Sequence, residues 1–284
     1  MPSQSQSEFV LTSSVRTELV LRVAERTTPT EVLLSGIDAS DSAVYDALST
    51  LRGRGLLTEA VEGWELTAHG HLVADSVSEW LSSEEFRARD PAFWKNHQAD
   101  VIPAAFRRRL PEVGEYEIVR DVPQEPNRCE DVAVGMLESA DHCDLTTPYY
   151  SRRHQTAIPR HPETRLLVTR EAIDVSFQRY RDGRREELNN MDPAALRLTD
   201  CQFASVVTDD KLKFELPTVS DGATDRHDGT GHPSERGSVA GTTALFVSET
   251  DSAVQWGRDL FEALWADSDP LGPYVERHHP DLLE

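Results

Sequence analysis

Lysine, cysteine and long apolar runs are all scarce in this chain of 284 residues. Only Lys95, Lys211 and Lys213 are lysines, so arginine supplies nearly all of the 29 basic side chains, against 50 carboxylates and a formal charge of −21. Cys129, Cys143 and Cys201 are odd in number, far apart and in no CxxC or CxxH spacing. That excludes a zinc knuckle and a disulfide framework and leaves reduced thiols, with Cys129 near a helix start that would favour its thiolate. No apolar run approaches the roughly 18 residues that span a bilayer. The opening "MPSQSQSEF" has no basic region ahead of an apolar stretch, so no secretory signal is expected. These absences point to a cytoplasmic, globular protein with no membrane partner.

An acid coat almost free of lysine suits a protein dissolved in molar salt, where the Debye length is about 3 Å and carboxylates hold water and cations. A GC-rich genome that writes Arg for Lys explains the lysine deficit but not the excess acid. The composition therefore reads as halophilic.

The length suits two domains of roughly 100–200 residues each. Residues 1–12 read as a disordered tail. From Ser13 or Ser14, "VRTELVLRVAER" places Val15, Leu19, Val20 and Val23 on one helical face. Thr28-Pro29-Thr30-Glu31 has the spacing of a capping box, and Gly36 stops the helix it opens. Ser40 caps the next helix, where Val44, Leu48 and Leu51 recur at i, i+4 and i+7. Alternation then takes over through Leu57, Glu59 and Val61, turns at Glu62-Gly63, and resumes at Trp64 and Leu66, the pattern of a hairpin. Thr67 caps a further helix with Val73, Val77, Trp80 and Leu81 on one side. This order over residues 13–82 is the plan of a winged helix-turn-helix.

Beyond it, 83–284 read as a connecting helix and an α/β domain. Candidate strands at 116–121, 143–150, 164–169, 203–209, 211–216 and 242–248 are interspersed with helical stretches at about 128–141, 170–181 and 251–266. The Gly-, Ser- and Asp-rich segment at about 217–241 reads as a mobile surface loop. The expected fold is a two-domain α+β or α/β chain.

If Val44, Leu48 and Leu51 face a core, the helical period turns Ser42, Tyr45, Asp46, Ser49 and Arg52 outward. In a helix-turn-helix this second helix enters the major groove, so Ser40, Ser42 and Tyr45 would lead, Arg52 and Arg54 would meet phosphate, and the turn at Glu62-Gly63 would approach the backbone beside it. Electrostatics oppose this: residues 1–80 hold five arginines and twelve carboxylates, where DNA-binding domains usually carry a basic footprint. A docking module for a transcription-machinery protein is the competing reading. Molar salt screens the long-range repulsion and leaves short-range contacts to decide.

Three motifs make the chain resemble archaeal transcriptional regulators of the methanogenesis-regulatory-protein type, common in haloarchaea. They are "LT..G" (Leu66, Thr67, Gly70), "FW..H" with a following "IP" (Phe93, Trp94, His97, Ile102, Pro103), and "WG..LF" (Trp256, Gly257, Leu260, Phe261). The resemblance covers most of the chain and implies a dimeric repressor or activator, with a winged helix on double-stranded DNA and a C-terminal domain that senses an effector or mediates assembly. Some regulators with such a sensor resemble phospholipase D folds, whose chemistry needs a His-x-Lys pair that this chain lacks.

In the second domain, Tyr149 and Tyr150 end a strand with Arg152, Arg153, His154 and Arg160 just beyond, the kind of sheet edge where α/β folds bind ligands. A small anionic effector held by Arg152 and Arg153 beside Tyr149 and Tyr150 is the sharper reading, and an arginine-rich loop bridging the acid surface the plainer one. His97 beside a Phe-Trp pair reads as packed, and His227, His232, His278 and His279 as solvated. No nucleophile elbow, phosphate-cradling glycine loop or metalloprotease pattern occurs, so no catalytic residue, cofactor or metal is expected.

Overall fold

Serine hydroxyls start two of the helices near the N-terminus, accepting the amides of Arg16 (from Ser13) and Ala43 (from Ser40). The computed structural model describes residues 5–179, 195–219 and 244–280. It divides the chain into two units, Met1–Glu85 and Phe86–Glu284.

The first unit runs α1 (Gln6–Leu11), α2 (Ser14–Glu25), α3 (Thr30–Gly36), α4 (Asp41–Gly53), β1 (Leu57–Ala60), β2 (Gly63–Leu66) and most of α5 (Ala68–Ala88). Leu19, Val20, Leu33, Val44, Leu48, Leu51, Leu56 and Val77 form its core, each at most 1% exposed. A side chain buried this completely contributes about 1.5–3 kcal/mol. The antiparallel pair β1–β2 gains a third extended segment at Thr28, whose backbone exchanges two hydrogen bonds with Trp64.

Three expectations are corrected in this unit. Residues 6–11 of the supposed tail are helical, because Phe9 and Val10 find room in the core. The capping box at Thr28 does not form: pairing with Trp64 holds Thr28 extended, its hydroxyl donates to the Arg26 carbonyl, and Pro29 is left at the cap without a side-chain bond. Trp80 leaves the apolar stripe of α5, being 48% exposed, and Ala74 takes its place beside Val73 and Val77.

The second unit is built on one mixed sheet. Its strands are β3 (Glu117–Arg120), β4 (Asp144–Thr147), β5 (Arg165–Val168), β6 (Leu196–Leu198), β7 (Ala204–Val207), β8 (Leu212–Glu215), β9 (Ala244–Ser248) and β10 (Asp269–Pro270). They lie in the order β10-β6-β5-β4-β7-β8-β9-β3. Only β4, β5 and β6 are mutually parallel; α8 (Arg128–Ser139) leads into β4, and α9 (Arg152–Ala157) and α10 (Arg170–Arg179) lie on the β4–β5 and β5–β6 connections in the usual strand–helix alternation. The other half is antiparallel. Between β7 and β8 the chain turns in a few residues, closed by the Thr208 amide on the Lys211 carbonyl, and so short a connection forbids a parallel crossover. Strand β4 sits where the two halves meet.

Strand β8 is buried along its whole length. One face of the sheet packs Leu212, Phe214 and Phe246 against Trp256 and Leu260 of α11 (Asp251–Ala266) and against Phe93 of α6 (Pro91–Asn96). Another core joins Leu145, Leu166 and Val206 to Met136 of α8, Phe177 of α10 and Val275 of α12 (Leu271–His278). The segment read as a loop at 217–241 falls mostly outside the described residues, as do His227 and His232.

Candidate functional site

On α4 the burial pattern separates two faces. Val44, Ala47, Leu48 and Leu51 are inward, while Ser42, Tyr45, Asp46, Ser49 and Arg52 are exposed, Tyr45 by 53%. Ser40 and Ser42 hydroxyls lie 3.1 Å apart at the N-terminal end. Arg52 approaches Glu59 at 3.5 Å and the Trp64 ring at 5.9 Å, both loose contacts that leave its guanidinium in solvent. Arg54 differs, because its guanidinium lies 3.6 Å over the Phe9 ring and donates to Gln6 Oε1, so α1 holds it in place. Arg16 lies over the same ring, and burial together with the charge of Arg54 pulls its pKa down. At the hairpin tip Val61 and Glu62 are exposed. Gly63 faces the backbone of Thr28 at φ +138°, where a Cβ would come within 2.4 Å of the Thr28 carbonyl oxygen. This glycine is required for closure of the hairpin on Thr28.

In the second unit, the structure gathers polar side chains at the C-terminal end of β4. Tyr149 donates its hydroxyl to Glu215 Oε2 at 2.9 Å, and Lys213 Nζ lies 2.5 Å from the same oxygen. Lys213 is 1% exposed. Ser151 and Arg153 both bond Glu130, and Arg153 also pairs with Asp131 at 2.6 Å. Tyr150 donates to Gln155, and Arg152 is exposed on α9. His154 is packed beside Tyr149 with a buried Nε2 that has no hydrogen-bond partner. Burial first, and the Lys213 charge second, push its pKa down to about 4, so it is neutral. Burial also holds Tyr149 far above its ordinary range, with Glu215 adding to the effect. Next to this cluster, Gln124, Glu125, Pro126, Asn127, Arg128 and Asp131 line an open polar depression of about 640 Å³.

Of the four effector candidates, Tyr149 is thus tied to Glu215 and Arg153 to Glu130 and Asp131, so that Arg153 is already committed to two carboxylates. His154 follows the two arginines in the same stretch, whereas Lys213, Glu215 and Glu130 were not singled out from sequence as parts of a site. A signal existed: in "KLKFEL" the strand period sets Lys213 and Glu215 on one face, and lysine is otherwise almost absent.

Burial sets the protonation of the three thiols. Cys129 does lie in the first turn of α8, but burial and the neighbouring Asp121 push its thiol up to about 12; burial does the same for Cys143 and Cys201. His97 is buried, stacks on Phe93 at 4.1 Å and bonds the Phe93 carbonyl through Nδ1. Among the described residues, no helix is long and apolar enough to cross a membrane.

Residues 126–267, half of the chain, match the family model described as methanogenesis regulatory protein FilR1, middle domain. No curated protein is a significant sequence match. Among solved structures, TrmBL2, an archaeal chromatin protein whose structure shows a novel mode of DNA binding, is 13% identical at a TM-score of 0.35 over 90% of this chain and 93% of its own. NucT from Helicobacter pylori is 8% identical at a TM-score of 0.33 over 55% of this chain and 98% of its own.

Proposed function

The chain belongs to the family of the methanogenesis regulatory protein FilR1, matched over its middle domain, and on that premise we propose that it is a sequence-specific DNA-binding transcription regulator. The first unit acts as a winged helix-turn-helix and the second as its sensor or assembly domain. The observation that carries this reading is the exposed polar face of α4, where Ser42, Tyr45, Asp46, Ser49 and Arg52 stand out from a helix locked by Val44, Leu48 and Leu51. A helix of this kind offers hydroxyls and a guanidinium to base edges and phosphates.

The net negative charge requires that the contact be made in concentrated salt, in keeping with a halophilic cytoplasm. Two copies are needed to read enough base pairs for regulation, and Leu72 and Trp80, 69% and 48% exposed on α5, offer a surface for pairing. An effector would act at the C-terminal end of β4, where Tyr149 is tied to buried Glu215 and Arg153 to the part-exposed Glu130.

The test is binding of promoter fragments in molar potassium salt by wild type and by the triple variant Ser42→Ala, Tyr45→Ala, Arg52→Ala. Tight binding by wild type and a loss of more than tenfold in the variant are expected. Equal binding, or none by either, favours docking of a transcription-machinery protein. Light scattering gives the oligomeric state, and a monomer at working concentration removes the dimeric arrangement.

A further inference from the structure

At the other end of β4, the starts of β4 and β5 and the end of β7 lie in register. Asp144 of β4 pairs with Arg165 of β5 on one side and with Val207 of β7 on the other. His142 lies two residues before Asp144, Glu163 two before Arg165, and Asp209 two after Val207. The pleat therefore delivers residues of matching parity from three separate loops to one spot. His161 comes from the same loop as Glu163. Among the described residues, His142, His161 and Glu163 each offer a ligand atom, and these atoms lie within 4.8 Å of one another. The two imidazoles are 5.6 Å apart between centroids.

The surroundings match a metal site. Asp209 Oδ1 lies 3.6 Å from His142 Nε2 and is itself held by Arg258 at 2.9 Å. A carboxylate this close can draw in to a hydrogen bond with one ring nitrogen of a metal-bound histidine, the usual outer-shell support of such a ligand. The Glu163 amide donates to His161 Nδ1 at 3.2 Å, holding that ring over its neighbour through a lone pair a cation could take over. Asp144 is excluded as a ligand because Arg165 engages both of its oxygens.

We infer that His142, His161 and Glu163 form a binding site for a borderline divalent transition-metal ion such as zinc. Two imidazoles select against magnesium and calcium, which take oxygen ligands. Tetrahedral zinc sets neighbouring ligands about 3.4 Å apart, so the three side chains must close by roughly an ångström, which their partial exposure permits. Three protein ligands leave a fourth position for water. The ion would tie the loop after α8 to the loop after α9, the two helices whose other ends meet at Glu130, Ser151 and Arg153. The inference stands independently of DNA binding.

The experiment is zinc titration of the metal-free full chain at pH 7.5 against a chromophoric chelator. One zinc per chain is expected, with affinity lowered more than tenfold by His142→Ala and by His161→Ala and unchanged by the paired control His69→Ala, His71→Ala. X-ray absorption of zinc-loaded wild type needs no variant and should show two imidazole nitrogens with oxygen. No uptake at millimolar zinc, unchanged affinity in both histidine variants, or a sulfur-rich or all-oxygen shell overturns the site.

Discussion

Lys213 and Glu215 stand on the same face of β8 with Nζ and Oε2 2.5 Å apart, and the lysine side chain is 1% exposed. Desolvating two charges is costly, and their attraction returns that cost only while both are present. Lys213→Met should therefore lower the unfolding free energy by about 3–5 kcal/mol, because Glu215 is left buried and uncompensated. Adding Glu215→Gln removes the stranded charge and keeps an acceptor for Tyr149. The double variant should recover about 2 kcal/mol in urea denaturation. If it is no more stable than Lys213→Met alone, the charge is not the source of the loss.

Gly70 illustrates how a motif can mark packing rather than chemistry. A Cβ there would meet the Leu56 carbonyl oxygen at 2.1 Å, while Thr67 caps α5 by accepting the Gly70 amide and sends its hydroxyl proton to Gly55. Gly70→Ala should destabilise the first unit by about 1–3 kcal/mol, since backbone rather than a flexible side chain must move. Gly53, in the last turn of α4 with nothing within 4 Å, is the control. Gly53→Ala should raise stability by about 0.5–1 kcal/mol. Thermal melts of the two variants should move in opposite directions.

The same contrast explains what the sequence disclosed. Periodicity located α2, α4, α8 and α11 because each has a one-sided apolar stripe, and alternation located the β1–β2 hairpin. The three family motifs turn out to be close-packing devices: Gly70 under Leu56, Phe93 stacked on His97, and Gly257 pressed on Val207 and Leu212. Long-range pairing was not legible. Thr28 has the local spacing of a helix cap, yet Trp64, distant in sequence, recruits its backbone into the sheet. Helix α1 is too short to stand alone, and tertiary burial of Phe9 and Val10 adds to its Ser5 cap to stabilise it. The polar cluster was half visible, since Tyr149 and Arg153 end a strand and start a helix, while their partners Glu215 and Glu130 come from elements distant in sequence.

The thiols give a direct chemical check. With each raised to about 12, little thiolate exists at neutral pH, and the thiolate is the reactive form. The native chain should react with a disulfide reagent at pH 8 far more slowly than a free thiol, and three equivalents should appear rapidly only on denaturation. Rapid modification of one cysteine in the native state would restore redox sensing as a function.

His154 sets the response of the second unit to acid. Its native pKa of about 4 lies below the unfolded value of 6.5 because burial disfavours the imidazolium and Lys213 repels it, against the opposing pull of Glu215 and Glu130. Above pH 6.5 both states are neutral at this side chain and it contributes nothing to pH dependence. Below pH 6.5 the unfolded chain takes up a proton that the native chain refuses, so stability falls until the native site titrates near pH 4. The loss between pH 7 and pH 4.5 should be about 2–3 kcal/mol from this group alone. Carboxylates titrate over part of the same range, so the decisive quantity is the difference between wild type and His154→Gln. Urea midpoints should converge as the pH drops, because the glutamine variant lacks the acid-sensitive share. Parallel pH profiles for the two proteins would show that His154 is as accessible to protons in the folded state as in the unfolded one.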